Sequence, residues 1–140
     1  MKKVAIAVVT GLAGFQPAAA DDTANVVHAL TEAFNRHDVS AMRALWHEYI
    51  AWLEIDGETI SVVMRGASAF ETAMMDYFKS YPDVRSTLAG AAESGAFLSG
   101  VETVNWNSGA VSRRQSGPVV YEVREGKVFR VWYYPATKGR

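Results

Sequence analysis

Residues Val119–Tyr134, VVYEVREGKVFRVWYY, decide the fold. β-Branched and aromatic residues dominate on both sides of Arg124-Glu125-Gly126, which marks two half-buried strands joined by a tight turn. Side-chain parity sets the register. A two-residue turn at Glu125-Gly126 would put Tyr121 opposite Arg130 and Glu122 opposite Phe129, mixing polar and apolar residues on each face. A three-residue turn with Gly126 in the left-handed conformation pairs Val123 with Lys127 instead. Val119, Tyr121, Phe129, Val131 and Tyr133 then share one face, and Glu122 and Arg130 are oppositely charged diagonal neighbours on the other. Val120, Val128, Trp132 and Tyr134 fall on the outer face. That apolar patch suits the interface of a homodimer, and also ordinary scattered exposure.

Upstream of this hairpin the chain alternates between helical and strand periodicity. Val26, Val27, Leu30, Ala33 and Phe34 fall on one helical face, with Asp22 or Thr23 as the cap. Asn35-Arg36-His37-Asp38 breaks that pattern. A short second helix follows, turning Val39, Met42, Leu45 and Trp46 inward, and Asp38 or Ser40 can accept from its free amides. Tyr49–Asp56 and Thr59–Arg65 read as strands ended by Gly57 and Gly66. Ser68-Ala69-Phe70-Glu71 has the form of a capping box, and Phe70, Ala73, Met74, Tyr77 and Phe78 continue it as an apolar helical stripe. Pro82 stops that helix. Arg85–Glu93, Ala96–Asn107 and Arg113–Arg124 follow as strands, and Lys127–Pro135 is the last. The expected class is α+β: three N-terminal helices packed on a curved antiparallel β-sheet, forming a cone with a pocket.

The chain of 140 residues is one domain in size, and its 49% hydrophobic content supplies a core. Its first 20 residues read as a secretory signal peptide, with Lys2 and Lys3, an apolar run over Val4–Phe15, and small residues before a cut after Ala20. The domain proper is then 21–140. The run is too short for a membrane-spanning helix, which needs about 20 apolar residues, so no stable membrane anchor is expected after the leader is removed. Localisation is expected to be exported, periplasmic or secreted. Without Lys2 and Lys3, 12 basic side chains face 15 acidic ones, a net charge of −3 that gives no bias toward nucleic acid. Cysteine is absent, which excludes disulfides, a thiol nucleophile and thiolate metal sites. His28, His37 and His47 have no metal-ligand spacing, and no phosphate loop or dinucleotide motif occurs, so neither metal nor organic cofactor is expected.

From Val26 to Pro135 the chain resembles the nuclear transport factor 2-like superfamily, specifically its SnoaL-like branch. The resemblance is carried by Ala33-Phe34-Asn35-Arg36-His37-Asp38-Val39-Ser40-Ala41-Met42, by the Arg65-Gly66 step into the third helix, and by Tyr121–Tyr134 with its Gly126-Lys127 turn. It implies a cone-shaped fold, within which isomerases, dehydratases, cyclases and epoxide hydrolases occur beside non-catalytic members. The ketosteroid isomerases of this superfamily use a carboxylate base on the first strand, where this chain has Glu54. Their enolate-stabilising donors match Leu30 and Val119, which are apolar here, so the resemblance does not extend to that mechanism. Simple alternation leaves Trp52, Glu54 and Asp56 in solvent, whereas the family arrangement turns Trp52 and Glu54 into the cavity. There a buried Glu54 would have a raised pKa and could shuttle protons.

Three functions follow as expectations. The first is an exported pocket domain binding a small apolar or aromatic molecule, with Trp52, Trp106, Tyr121, Phe129 and Tyr133 lining the pocket or simply filling the core. The second is a cofactor-independent acid–base enzyme of isomerase, cyclase or dehydratase type using Glu54. The third is a dimeric interaction module using Val120, Trp132 and Tyr134.

Overall fold

The computed structural model describes residues 20–139; the leader expected over 1–20 lies outside them, apart from Ala20. Helices α1 (Ala20–Asn35) and α2 (Val39–Leu45) lead into strands β1 (Trp46–Asp56) and β2 (Thr59–Arg65), and α3 (Ala67–Ser80) follows. Strands β3 (Arg85–Ser94), β4 (Phe97–Ser108), β5 (Val111–Arg124), β6 (Lys127–Tyr133) and the short β7 (Thr137–Gly139) complete the chain. The expected helices and long strands are all present. The third helix lies between β2 and β3, as its place in the sequence required, so the three helices are not all N-terminal to the sheet. One feature of the architecture differs from expectation: the sheet is mixed rather than wholly antiparallel.

The sheet order is β2-β1-β6-β5-β4-β3, with β7 continuing along β5 beyond the end of β6. β1 and β6 run parallel, because the chain inserts its late strand between β1 and β5 rather than adding it at an edge. Register shifts interrupt β1–β2, β3–β4 and β5–β6, and such bulges bend and twist a sheet. Gly100 belongs to this bend: a Cβ there would lie 2.8 Å from the Leu88 side chain and 3.0 Å from the Ala89 carbonyl oxygen. The curved sheet wraps α1 and α3, and Val27, Trp46, Ile50, Val84, Val119 and Val128 are fully enclosed between them.

The deciding hairpin has the expected strands but a different turn. Glu125 and Gly126 both have positive φ, 54° and 71°, and Arg124 pairs with Lys127, so the turn has two residues. The polar–apolar mixing that argued against this turn is removed by a bulge at Phe129. Val123 pairs with Val128, and Glu122 then pairs directly with Arg130. Val128 becomes a core residue, while Phe129 turns to the convex side beneath the Arg124 and Arg130 guanidinium groups, 4.2 and 4.8 Å from its ring centroid.

The helix ends are set by local hydrogen bonds. α1 closes with His37 in the left-handed conformation, the Asp38 amide bonding Ala33 O and the His37 amide bonding Phe34 O. Asp38 then caps α2 by accepting from the Ala41 amide at 2.9 Å. The His37 ring stacks on Phe78 at 4.2 Å, so its role is local packing. The capping box expected at Ser68–Glu71 does not form. α3 starts a residue earlier at Ala67, with Gly66 (φ 87°) as its N-cap and no side-chain cap, which places Ser68 inside the first turn.

Candidate functional site

Between α1, α3 and the concave face of the sheet lies a cavity of about 780 Å³. Its walls are apolar for the most part: Leu30 and Phe34 from α1, Phe70 and Met74 from α3, Ile50 from β1 and Val131 from β6. The core stripes that drive the helices onto the sheet therefore also line the hollow, because the bent sheet holds its ends away from the helices.

Polar groups enter from the strands. β4 alternates Leu98, Gly100, Glu102, Val104 and Trp106 toward the inside, which carries the Glu102 carboxyl into the cavity wall. Its neighbour across to β5 is Gly117, which adds no side chain beside it. Ser86 on β3 donates its hydroxyl to Glu102 Oε1 at 2.7 Å. Ser86 is held in turn by Asn35 at the end of α1: the Asn35 amide group donates to Ser86 O at 2.8 Å, and the Ser86 amide donates to Asn35 Oδ1 at 2.7 Å.

Electrostatics at this cluster are set by dehydration. Burial pushes the Glu102 pKa up, and the hydrogen bonds from Ser86 and Tyr133 oppose it only in part. Although water reaches part of Glu102 from the cavity, the surrounding protein removes most of its solvation. Tyr121 and Tyr133 are raised well above the ordinary tyrosine value by burial first and by the nearby Glu102 charge second. Tyr77 is pushed up to about 12 by burial, then by Tyr81 and Glu102. The tyrosines are therefore hydrogen-bond donors throughout the physiological range. Trp52 adds another donor: its ring lies 5.3 Å from that of Tyr133, and its Nε1 is buried with no partner among the described residues.

Of the residues expected in the pocket, Trp52, Trp106, Tyr121 and Tyr133 line the cavity. Phe129 does not: the bulge places it on the convex face, edge-on to His47 at 4.9 Å. Glu54 and Asp56 are on the cavity side but exposed at its mouth, and Glu54 forms no hydrogen bond or ion pair among the described residues. Leu30 faces the hollow and Val119 is sealed in the core, so neither supplies a donor. The polar cluster is instead built from Glu102, which accepts from Ser86 and Tyr133, together with Tyr121 and Trp52. Glu102 was not anticipated, although a lone carboxylate in the inward set of an otherwise apolar strand is a sequence signal for it.

On the convex face, Val120, Trp132 and Tyr134 join Ile55 and Phe97 around a shallow depression of about 200 Å³. Tyr134 also reaches the rim of the main cavity. Ile60 and Val62, 60% and 45% exposed, extend the apolar surface along β2. Beside it Glu122 is only 2% exposed, with Arg124 Nε at 2.6 Å and Arg130 at 3.5 Å.

Comparison with known proteins agrees with this geometry. The chain is similar to a cystatin-fold protein from Novosphingobium aromaticivorans (18% identity, TM-score 0.68, covering 79% of this chain and 96% of that one). It is also similar to an LEH-like epoxide hydrolase of M. tuberculosis (16% identity, TM-score 0.66, 81% of this chain and 82% of that one). An NTF2-like protein from Cytophaga hutchinsonii matches at 15% identity and TM-score 0.59, over 80% of this chain and 88% of that one. At such identities the likeness is one of fold. No match was found among curated protein sequences. The family model for the SnoaL-like domain matches residues 27–131, the whole span from α1 through β6 that encloses the cavity, and the chain belongs to that family, within the nuclear transport factor 2-like superfamily.

Proposed function

We propose that this protein binds a small apolar or aromatic molecule inside the cone. The observation that carries the reading is the cavity of about 780 Å³, walled mostly by aliphatic and aromatic side chains with a few polar groups among them. Sites for small ligands typically have this size and this balance. An empty apolar hollow also costs stability through lost packing, which an occupant restores. The test is titration with the neutral fluorophore N-phenyl-naphthylamine. Saturable binding is expected in the parent and its loss in Val104→Trp, which builds an indole into the hollow from β4. A folded Val104→Trp protein that binds as tightly as the parent refutes the reading.

A second reading, a cofactor-independent acid–base enzyme, is favoured by the buried Glu102 carboxyl. A carboxyl whose pKa is raised by burial keeps its proton to higher pH than a solvated one and can exchange it with a ligand, and Ser86 and Tyr133 fix its position. Glu102 is better placed for this than Glu54, which stands in solvent at the mouth. The protein in this account is an exported homodimer. Export is supported by the basic, apolar and small-residue pattern of its first 20 residues. Pairing is supported by the apolar depression at Val120, Trp132 and Tyr134. N-terminal sequencing of protein from its native host tests export: a chain beginning at Met1 refutes it.

A further inference from the structure

We propose that the cavity selects ligands carrying a protonated amine on an apolar body, with Glu102 as the counter-ion of the ammonium group. The proposal rests on the reading of the cavity as a ligand site and narrows the chemistry of its occupant. Its first support is the cation that Glu102 lacks. That carboxyl stands in the cavity wall and accepts from the neutral hydroxyls of Ser86 and Tyr133. It takes part in no ion pair among the described residues. A buried carboxylate is ordinarily held by a cation, or else keeps its proton. A ligand's ammonium group supplies the charge that the protein withholds, and after two hydrogen bonds the carboxylate still has lone pairs to receive its N–H. Folding has already stripped most of the water from Glu102, so binding dehydrates only the ligand's side of the pair.

The second support is what surrounds that carboxyl. Tyr77, Tyr121 and Tyr133 lie near enough to feel its charge, and aromatic rings attract cations. The other charged residues of the lining are Glu54 and Asp56 at the mouth, and no lysine, arginine or histidine lines the cavity. An entering cation meets favourable potential from the mouth inward, whereas an anion would lose its hydration against like charge. The apolar body of such a ligand has Phe34, Met74 and Val104 to pack on.

The experiment displaces N-phenyl-naphthylamine at neutral pH with three ligands of nearly one shape. They are dimethyl(naphthylmethyl)amine, which is protonated there, isobutylnaphthalene, in which C–H replaces N–H, and naphthylacetate. The amine is expected to bind the parent tightest of the three. Glu102→Gln should lower its affinity, relative to the hydrocarbon's, by roughly ten- to a hundredfold, the value of a net hydrogen bond to a charged group. Should that variant fail to fold, nuclear Overhauser contacts in the parent carry the test. The N-methyl protons should lie against the Tyr121 and Tyr133 rings; contacts confined to Pro135 and Ala136 would overturn the pairing with Glu102. An amine that binds no tighter than the hydrocarbon, an advantage that survives Glu102→Gln, or tightest binding of naphthylacetate overturns the proposal and leaves the cavity reading standing. If none of the three displaces the dye, the cavity reading falls and the proposal with it.

Discussion

Replacing Glu102 by Gln should change how stability depends on pH, in a direction and with a limiting slope that follow from the site. Burial raises the folded-state pKa of Glu102 above its ordinary value of 4.5. Between the unfolded and folded pKa values the unfolded chain has lost the proton and the native protein retains it. Stability therefore falls as pH rises through that window. It is unaffected below the unfolded value, and the loss is complete above the folded one. At most one proton is involved, so the slope cannot exceed about 1.36 kcal/mol per pH unit. Gln keeps an oxygen that can accept from Ser86 Oγ but cannot ionise, so it removes this contribution, and the tyrosines that feel the Glu102 charge titrate above the window concerned. Urea denaturation of both proteins, followed by tryptophan fluorescence across a pH series, gives the difference directly. The variant should gain on the parent as pH rises from about 4.5, and the pH at which the two curves again run parallel reads the native pKa of Glu102. Parallel curves over the whole range, or a parent that gains on the variant with rising pH, would refute the account of this carboxyl.

Asn35→Ala removes both hydrogen bonds that hold Ser86 against the end of α1, and should cost about 2–3 kcal/mol in denaturant unfolding. A loss under about 0.5 kcal/mol would show the clamp to be dispensable. Trp132→Glu puts a charge in the convex depression and should convert a dimer to monomer in light scattering; a monomeric parent ends the dimer reading. Glu54→Gln should leave stability within about 0.5 kcal/mol of the parent in denaturant unfolding, since that exposed carboxyl has no partner among the described residues. In a turnover assay its activity should survive while Glu102→Gln loses activity, and the reverse result would return the proton transfer to Glu54.

The fold was legible in the sequence where its causes are local. The stripe Phe70, Ala73, Met74, Tyr77 and Phe78 and the parity of Val119–Val123 both report neighbours a few residues away. Parity failed at Phe129 because a single extra residue exchanges the faces of a strand, and the two-residue turn is acceptable only once that bulge is known. Ser68 misled because Gly66, with its positive φ, turns the chain into α3 before a side-chain cap is needed. The parallel pairing of β1 with β6 left no local trace, since its partners are far apart in sequence and no hairpin joins them. At the site, Trp52, Trp106, Tyr121 and Tyr133 were visible as aromatic residues on strands. Glu102 needed both its inward parity and knowledge that Ser86 and Tyr133 come to it from other strands.

The place of β6 between β1 and β5 has a consequence for how the molecule is assembled. Until residues 127–133 have been made, a growing chain holds two separate half-sheets, β1 with β2 and β3 with β4 and β5, each showing a bare edge to the other. The last strand is the wedge that joins them, and it brings Val131 and Tyr133 with it as one wall of the chamber. A chain cut short just before Lys127 would thus lose the container as well as a few contacts, leaving two sticky ribbons in place of a vessel.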